Sequence, residues 1–271
     1  MKATRVLPLL LMIAIPACHR APAVPPQPQY VTPPDLHTGW QTVLDRYTTD
    51  GAVDYVTLNE TRGDLASYLR RLEALDRPTY EHMTRADQMA LWINAHNAYA
   101  VGIILQYWPV NSIREATPMV KHGPGGVFGI AFVPLGRLVG DTKTLSLDDI
   151  ADGILRKRFG DPRVDFALAR ACRSCPMLAS EAYSGELLDR QLDAAARRFL
   201  ADPKKNRFDP DRRELMVSPL FQWNVADFQP LGGEVGVFRR YGPEESVAEL
   251  KSLNRAPTIS YTAYDWSLNA K

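Results

Sequence analysis

The sequence predicts an α+β fold: one mixed domain, rich in helix, with a small and mostly antiparallel sheet. Three observations carry that reading. Segments with apolar residues at helical spacing outnumber short alternating ones, the two kinds do not alternate as a doubly wound sheet requires, and no second proline-rich break interrupts the chain after residue 38. Hydrophobic content of 45% over 271 residues is ordinary for a packed globule.

The first residues have three parts. Lys2 and Arg5 supply positive charge, Val6 to Ile15 is a nearly unbroken apolar run, and Ile15-Pro16-Ala17-Cys18 ends it. That is the layout of a signal peptide, and the run is too short for a bilayer span of about 20 apolar residues. Small Ala17 directly before a cysteine resembles the lipobox of bacterial lipoproteins. It implies cleavage after residue 17 and acylation of Cys18, which would hold the chain on a membrane surface. By the same resemblance His19, in place of aspartate, favours the outer membrane, with the domain in the cell envelope facing the periplasm. Residues 18–38 hold the six prolines of His19 to Pro34 and read as a stiff tether. The domain proper is expected over 39–271.

Several helix starts are marked. Thr84 with Asp87, and Ser146 with Asp149, resemble capping boxes with aspartate replacing glutamate. The first predicts a helix from Arg85 to Tyr107, stopped by Pro109. Ser184 is expected to cap a helix that places Leu188, Leu192, Ala195 and Phe199 on one face. Ser218-Pro219 reads as a cap followed by proline at the first helical position.

Strand signals are fewer. Val164, Phe166 and Leu168 alternate with Asp165, Ala167 and Ala169, which predicts a strand. Asn206 to Val217, with Asp209-Pro210-Asp211 in its middle, predicts a hairpin. Phe128 to Val139 and Thr258 to Tyr264 are further candidates.

Removing residues 1–17 takes away Lys2 and Arg5 and leaves 30 basic against 31 acidic residues. Such a balance offers nucleic acid no basic stripe. The glycine-rich stretches Gly123 to Gly129 and Gly232 to Gly236 lack a phosphate-loop lysine and a strand-to-helix setting. They read as loops, and no cofactor is implied.

Chemistry concentrates at Cys172-Arg173-Ser174-Cys175-Pro176, just past the expected Asp165 strand. In an oxidising compartment this spacing suits a short disulfide, structural or incidental.

Trp92-Ile93-Asn94-Ala95-His96-Asn97-Ala98, Leu145-Ser146-Leu147-Asp148-Asp149-Ile150, Asp161-Pro162-Arg163-Val164-Asp165-Phe166-Ala167-Leu168, Ser174-Cys175-Pro176, Trp223 with Asp227-Phe228, and Tyr264-Asp265-Trp266-Ser267-Leu268-Asn269 follow one another along most of the domain. As an ordered set they resemble the domain-of-unknown-function 547 family. The resemblance implies kinship of fold and leaves activity open. This chain departs from the family pattern: histidine is common where Asp165 stands and frequent where Asp152 stands, and tyrosine is common at His96 and Asn224. Cys175 matches the usual cysteine, whereas Cys172 falls where serine is common.

Four functional readings follow. In the first, Cys175 is the nucleophile of a hydrolase or transferase acting on a peptide, cell-wall or acyl substrate. Asn94 and Asn97 would orient a partner or donate to an oxyanion, and the base would be His96, His122 or an Asp165 of raised pKa. The competing reading of Asn94 and Asn97 is that buried helix amides tie down neighbouring loops. A second reading is thiol–disulfide exchange by Cys172 and Cys175. A third, weaker, is a metal site from Asp152, Asp165 and Cys175, with Glu181 as a further ligand. The fourth is an envelope binding module without turnover. Trp223, Asp227, Asp265, Trp266 and Asn269 are expected to lock the C-terminal segment onto the core.

Overall fold

The computed structural model describes residues 35–116, 126–130 and 132–271. The signal segment, Cys18 and His122 lie outside the described residues, as does the tether up to Pro34. Among the described residues no helix is long and apolar enough to cross a membrane.

The fold is built around one helix. The Thr84 hydroxyl accepts from the Asp87 backbone N–H at 3.1 Å and donates to the Asp87 carboxylate at 2.7 Å, and the helix then runs Arg85–Tyr107. Every residue from Met89 to Val101 is buried. A helix enclosed on all sides belongs at the centre of a core, and helices Tyr55–Glu60, Gly63–Ala74 and Asp149–Phe159 pack against it. Trp92, fully buried, donates its indole N–H to the Tyr80 hydroxyl at 2.9 Å. Packing begins slightly before residue 39, since Leu36 is buried and His37 bonds the Tyr68 hydroxyl.

Ser146 and Asp149 form a reciprocal cap, each side chain accepting from the other's backbone N–H at 2.9 Å. The helix they open, Asp149–Phe159, is wound as a π-helix and ends at Gly160 in the left-handed region, φ +68°. The helix Leu188–Leu200 buries Leu188, Leu192, Ala195 and Phe199 as expected. Ser184 does not cap it; the hydroxyl lies one turn too early and Leu187 occupies the capping position. The Ser218 hydroxyl accepts from Leu220 N–H, but the helix there is only Leu220–Trp223.

The described sheets are small. Arg207–Asp209 and Glu214–Val217 form the antiparallel hairpin, and Thr258–Tyr261 adds parallel to its second strand. A two-stranded ribbon, Thr48–Thr49 with Ala52–Val53, lies near the N-terminus.

Three expectations need correction. The Val164–Leu168 segment is a 3-10 helix over Pro162–Phe166. Asp161 accepts from the Arg163 N–H and Pro162 has a preset φ, so a helical start wins locally. The apparent alternation carried no two-faced signal, because every residue from Val164 to Ala169 is buried. Phe128–Val139 contains two 3-10 turns, Gly126–Gly129 and Gly136–Leu138, and a single bridge from Val133 to Leu145. Pro134, lacking an N–H, stops a ladder from growing. Gly232 to Gly236 enters the helix Gly233–Tyr241. Gly232 takes φ +86°, and a Cβ at Gly236 would run into the Leu231 carbonyl.

Asn94 and Asn97 act as braces between the central helix and its neighbours. Asn94 donates to Tyr183 O at 2.8 Å and accepts from Tyr183 N at 2.9 Å. Asn97 donates to Ala167 O and accepts from Ala169 N, both at 2.9 Å. Both amides are thus spent on backbone, the loop-tying role. Replacing Asn97 with Ala strands a buried N–H and a buried C=O. Urea unfolding of Asn97→Ala should show a loss of about 2–4 kcal/mol, and a loss within experimental error would remove the brace argument.

Candidate functional site

Asp165 is carried into the interior by its neighbours. Phe166 inserts among Phe199, Phe221 and Phe228, with ring centroids 5.3, 5.9 and 5.5 Å away. The turn is thereby pinned and the Asp165 side chain has no solvent exposure. Arg156, from the π-helix, answers it. Its Nε lies 2.9 Å from Asp165 Oδ1 and 2.9 Å from Asp227 Oδ2, and its other nitrogens reach Asp165 and Asp152. Asp165 Oδ2 is buried and has no hydrogen-bond partner among the described residues.

These groups lie at one side of a cleft of about 470 Å³. Asp148, Asp152, Arg156, Asp165 and Arg170 supply its charged lining, and Trp223, Tyr264 and Trp266 form an aromatic wall. The rings support one another: Trp223 and Trp266 stack at 5.8 Å, with Tyr264 at 4.7 and 4.6 Å from them. Trp223 is 51% exposed, unusual for so large an apolar side chain. Arg170 sits over Phe128 and lies 3.6 Å from Asp148, while exposed Arg114 covers Trp266 at 5.0 Å.

Burial pushes the Asp165 carboxyl up to about 6; Arg156 opposes the shift and Asp227 adds to it. Burial also raises Asp148, with Arg170 opposing and Asp152 reinforcing. His96 moves the other way: burial and the positive Arg170 and Arg156 bring it down to about 3. It is therefore a neutral imidazole. Its Nδ1 is 3.3 Å from Asn97 Oδ1, and its Nε2 is buried without a partner among the described residues.

The cysteines are joined. Cys172 and Cys175 form a disulfide with Cα atoms 5.1 Å apart, and both residues are buried. The Tyr264 hydroxyl lies 3.4 Å from Cys175 Sγ and 3.7 Å from Cys172 Sγ. Ala171, at φ +54°, turns the chain from Arg170 on the cleft into this loop. The loop in turn holds the C-terminal strap: Arg173 N bonds Ser267 O at 2.9 Å and Ser174 N bonds Asp265 O at 3.1 Å. The strap carries Tyr264 and Trp266 to the cleft.

The structure therefore does not assemble the thiol-and-amide grouping expected from sequence. Cys175 holds its sulfur in the disulfide, and neither Asn94, Asn97 nor His96 is among the cleft-lining residues. The weak metal alternative also fails on geometry. Glu181 is exposed, Cys175 has no free thiolate, Asp152 and Asp165 both pair with Arg156, and no three potential ligands converge among the described residues. Asp165 and Asp152 do share a site, together with residues to which the sequence reading gave no site role: Arg156, Arg170, Asp148 and Tyr264. Asp152 and Arg156, four apart, gave the one available signal. Asn269 behaves as expected, accepting from Tyr55 and donating to Gly51 O, whereas Trp223 and Trp266 face the cleft and are not sealed in the core.

Residues 80–200 match the family model described as Protein of unknown function, DUF547. That stretch is a DUF547 match. Neither the curated proteins nor the solved structures gave a match. The DUF547 match runs from the entrance of the central helix to the end of Leu188–Leu200. It contains Cys172, Cys175 and every charged residue lining the cleft, whereas Asp227 and the aromatic wall lie outside the matched stretch.

The signs of the two large shifts predict opposite acid responses. Asp165, raised when folded, disfavours the fold once pH exceeds its folded value near 6, and this penalty is relieved as pH falls toward the model-peptide 3.8. His96, lowered when folded, leaves stability intact above 6.5 and removes it progressively as pH falls from 6.5 toward 3. Between pH 7 and 4.5 the wild type should lose about 2–3 kcal/mol more than a His96→Gln variant, read by urea unfolding. Parallel pH profiles for the two proteins would show that His96 protonates freely in the fold.

Proposed function

We propose that this protein is a lipid-anchored module of the cell envelope whose cleft captures a peptide-bearing cell-wall ligand without turnover. One observation carries the binding part: half-exposed Trp223, held by Tyr264 and Trp266, borders a cleft of about 470 Å³ that also has a charged lining. An apolar wall facing a few convergent polar groups is the usual make-up of a ligand site. The anchoring part rests on the sequence around Cys18, with outer-membrane placement resting on His19.

The hydrolase or transferase reading needs a free Cys175 thiolate, and the disulfide argues against it. The disulfide is also what favours the remaining alternative, thiol–disulfide exchange. Burial of both sulfurs beneath Tyr264 weighs against that, since exchange requires a thiolate to reach a sulfur.

Muropeptides released from cell wall should bind the full chain in calorimetry, and Trp223→Ala should reduce the affinity about tenfold or more, in line with loss of a large aromatic anchor. Hydrolysis of those muropeptides by the wild type, abolished in Cys175→Ser, would overturn the binding reading in favour of the enzyme. Cys18→Ala should leave the membrane fraction and appear soluble; a variant still sedimenting with membranes would refute the lipid anchor.

A further inference from the structure

We infer that the group this cleft receives is an organic cation, a primary ammonium borne by a peptide, and that Asp165 is its anchor; the inference rests on the cleft being a binding site. The first observation is Asp165 itself. Its side chain is wholly buried, it lines the cleft, Oδ1 is committed to Arg156, and Oδ2 accepts nothing among the described residues. A buried carboxylate oxygen without a donor is costly. An ammonium supplies three donors and a charge of the right sign.

The second observation is the local charge. Asp148, Asp152, Asp165 and Asp227 share two guanidinium groups, Arg156 and Arg170. With all four acids ionised, two negative charges remain uncompensated there. Asp149, on the same helix as Asp152, adds to the field felt by Asp148. The other cation lining the cleft, Arg114, is exposed and lies over Trp266, where it leaves the acidic group unneutralised. Raised carboxyls at Asp165 and Asp148 are what an acid-rich, partly desolvated pocket produces.

The third observation is the wall. Trp223, Tyr264 and Trp266 present π-systems beside the acidic lining, and ring faces attract cations while repelling anions. A lysine-like group satisfies every part of this arrangement: its alkyl stem lies along the rings and its ammonium reaches Asp165. An anionic ligand would meet a surplus of carboxylate.

The test uses the full chain and three probes in calorimetry at pH 7: an Nα-acetyl-lysine methylamide, the same compound acetylated on Nε, and cadaverine as a free amine. The lysine compound should bind about tenfold or more tightly than its acetylated form, the magnitude expected of one charge-assisted bond. Cadaverine matching it would place recognition in the amine alone, and cadaverine binding weakly would assign part of it to the peptide group; either supports the cation. Asp165→Asn should remove the preference. If that variant fails to fold, Asp152→Asn, at an exposed position, should still weaken the lysine compound against its acetylated form. Affinity should also rise between pH 5 and 7 as Asp165 ionises near 6. Equal binding of the lysine compound and its acetylated form overturns the cation, and if muropeptides still bind through Trp223 the binding reading stands. Silence from all probes and from muropeptides overturns both.

Discussion

The Arg156 guanidinium is the point on which the site depends. It is mostly buried and is reached by carboxylates from three places: Asp152 on its own helix, Asp165 on the 3-10 turn, and Asp227 on the short helix Val225–Phe228. Breaking a buried pair of this kind by removing one partner costs about 3–5 kcal/mol, because the other charge is left desolvated. The constraint is therefore mutual. The π-helix, the turn and the segment after Trp223 must arrive together, and their arrival defines one side of the cleft.

A second constraint comes from the end of the chain. The strap Tyr264–Lys271 forms no long ladder of its own; it is held piecewise by Asn111, Ser112, Arg173, Ser174 and Val53. The disulfide loop stiffens part of that support. Its two sulfurs, sequestered under the Tyr264 hydroxyl, thus serve to position an aromatic wall. This gives Cys172 a structural account even though serine is common there in the family pattern. Of the readings the cysteine pair allows in one dimension, chemistry or scaffold, the fold supports the scaffold.

The braces formed by Asn94 and Asn97 show the same economy. An amide on a fully enclosed helix has no water to fall back on, so both its donor and its acceptor must be used. Tyr183 and the Ala167–Ala169 segment supply those partners, and the latter is the chain that leads from Asp165 to Arg170. The amides consequently set the position of the cleft from behind it, while taking no part in its surface.

The sequence by itself determined the helix-rich α+β class, the central helix with its Thr84 cap, the Ser146–Asp149 box, the buried face of Leu188–Leu200 and the hairpin at Asn206–Val217. Each of these is a short-range matter of periodicity, capping or turn chemistry. It also singled out Asp165, as the base of a thiol site, and Asp152, as a ligand in the metal alternative. The tertiary structure alone decided that Asp161-Pro162 overrides an apparent strand, that the cysteines pair with each other, and that Arg156 draws Asp165 and Asp227 together. It alone brought Trp223, Tyr264 and Trp266 from the last fifth of the chain to the cleft that Arg156 and Asp165 line. Those outcomes depend on which distant groups share a desolvated space, and no local pattern encodes that distance.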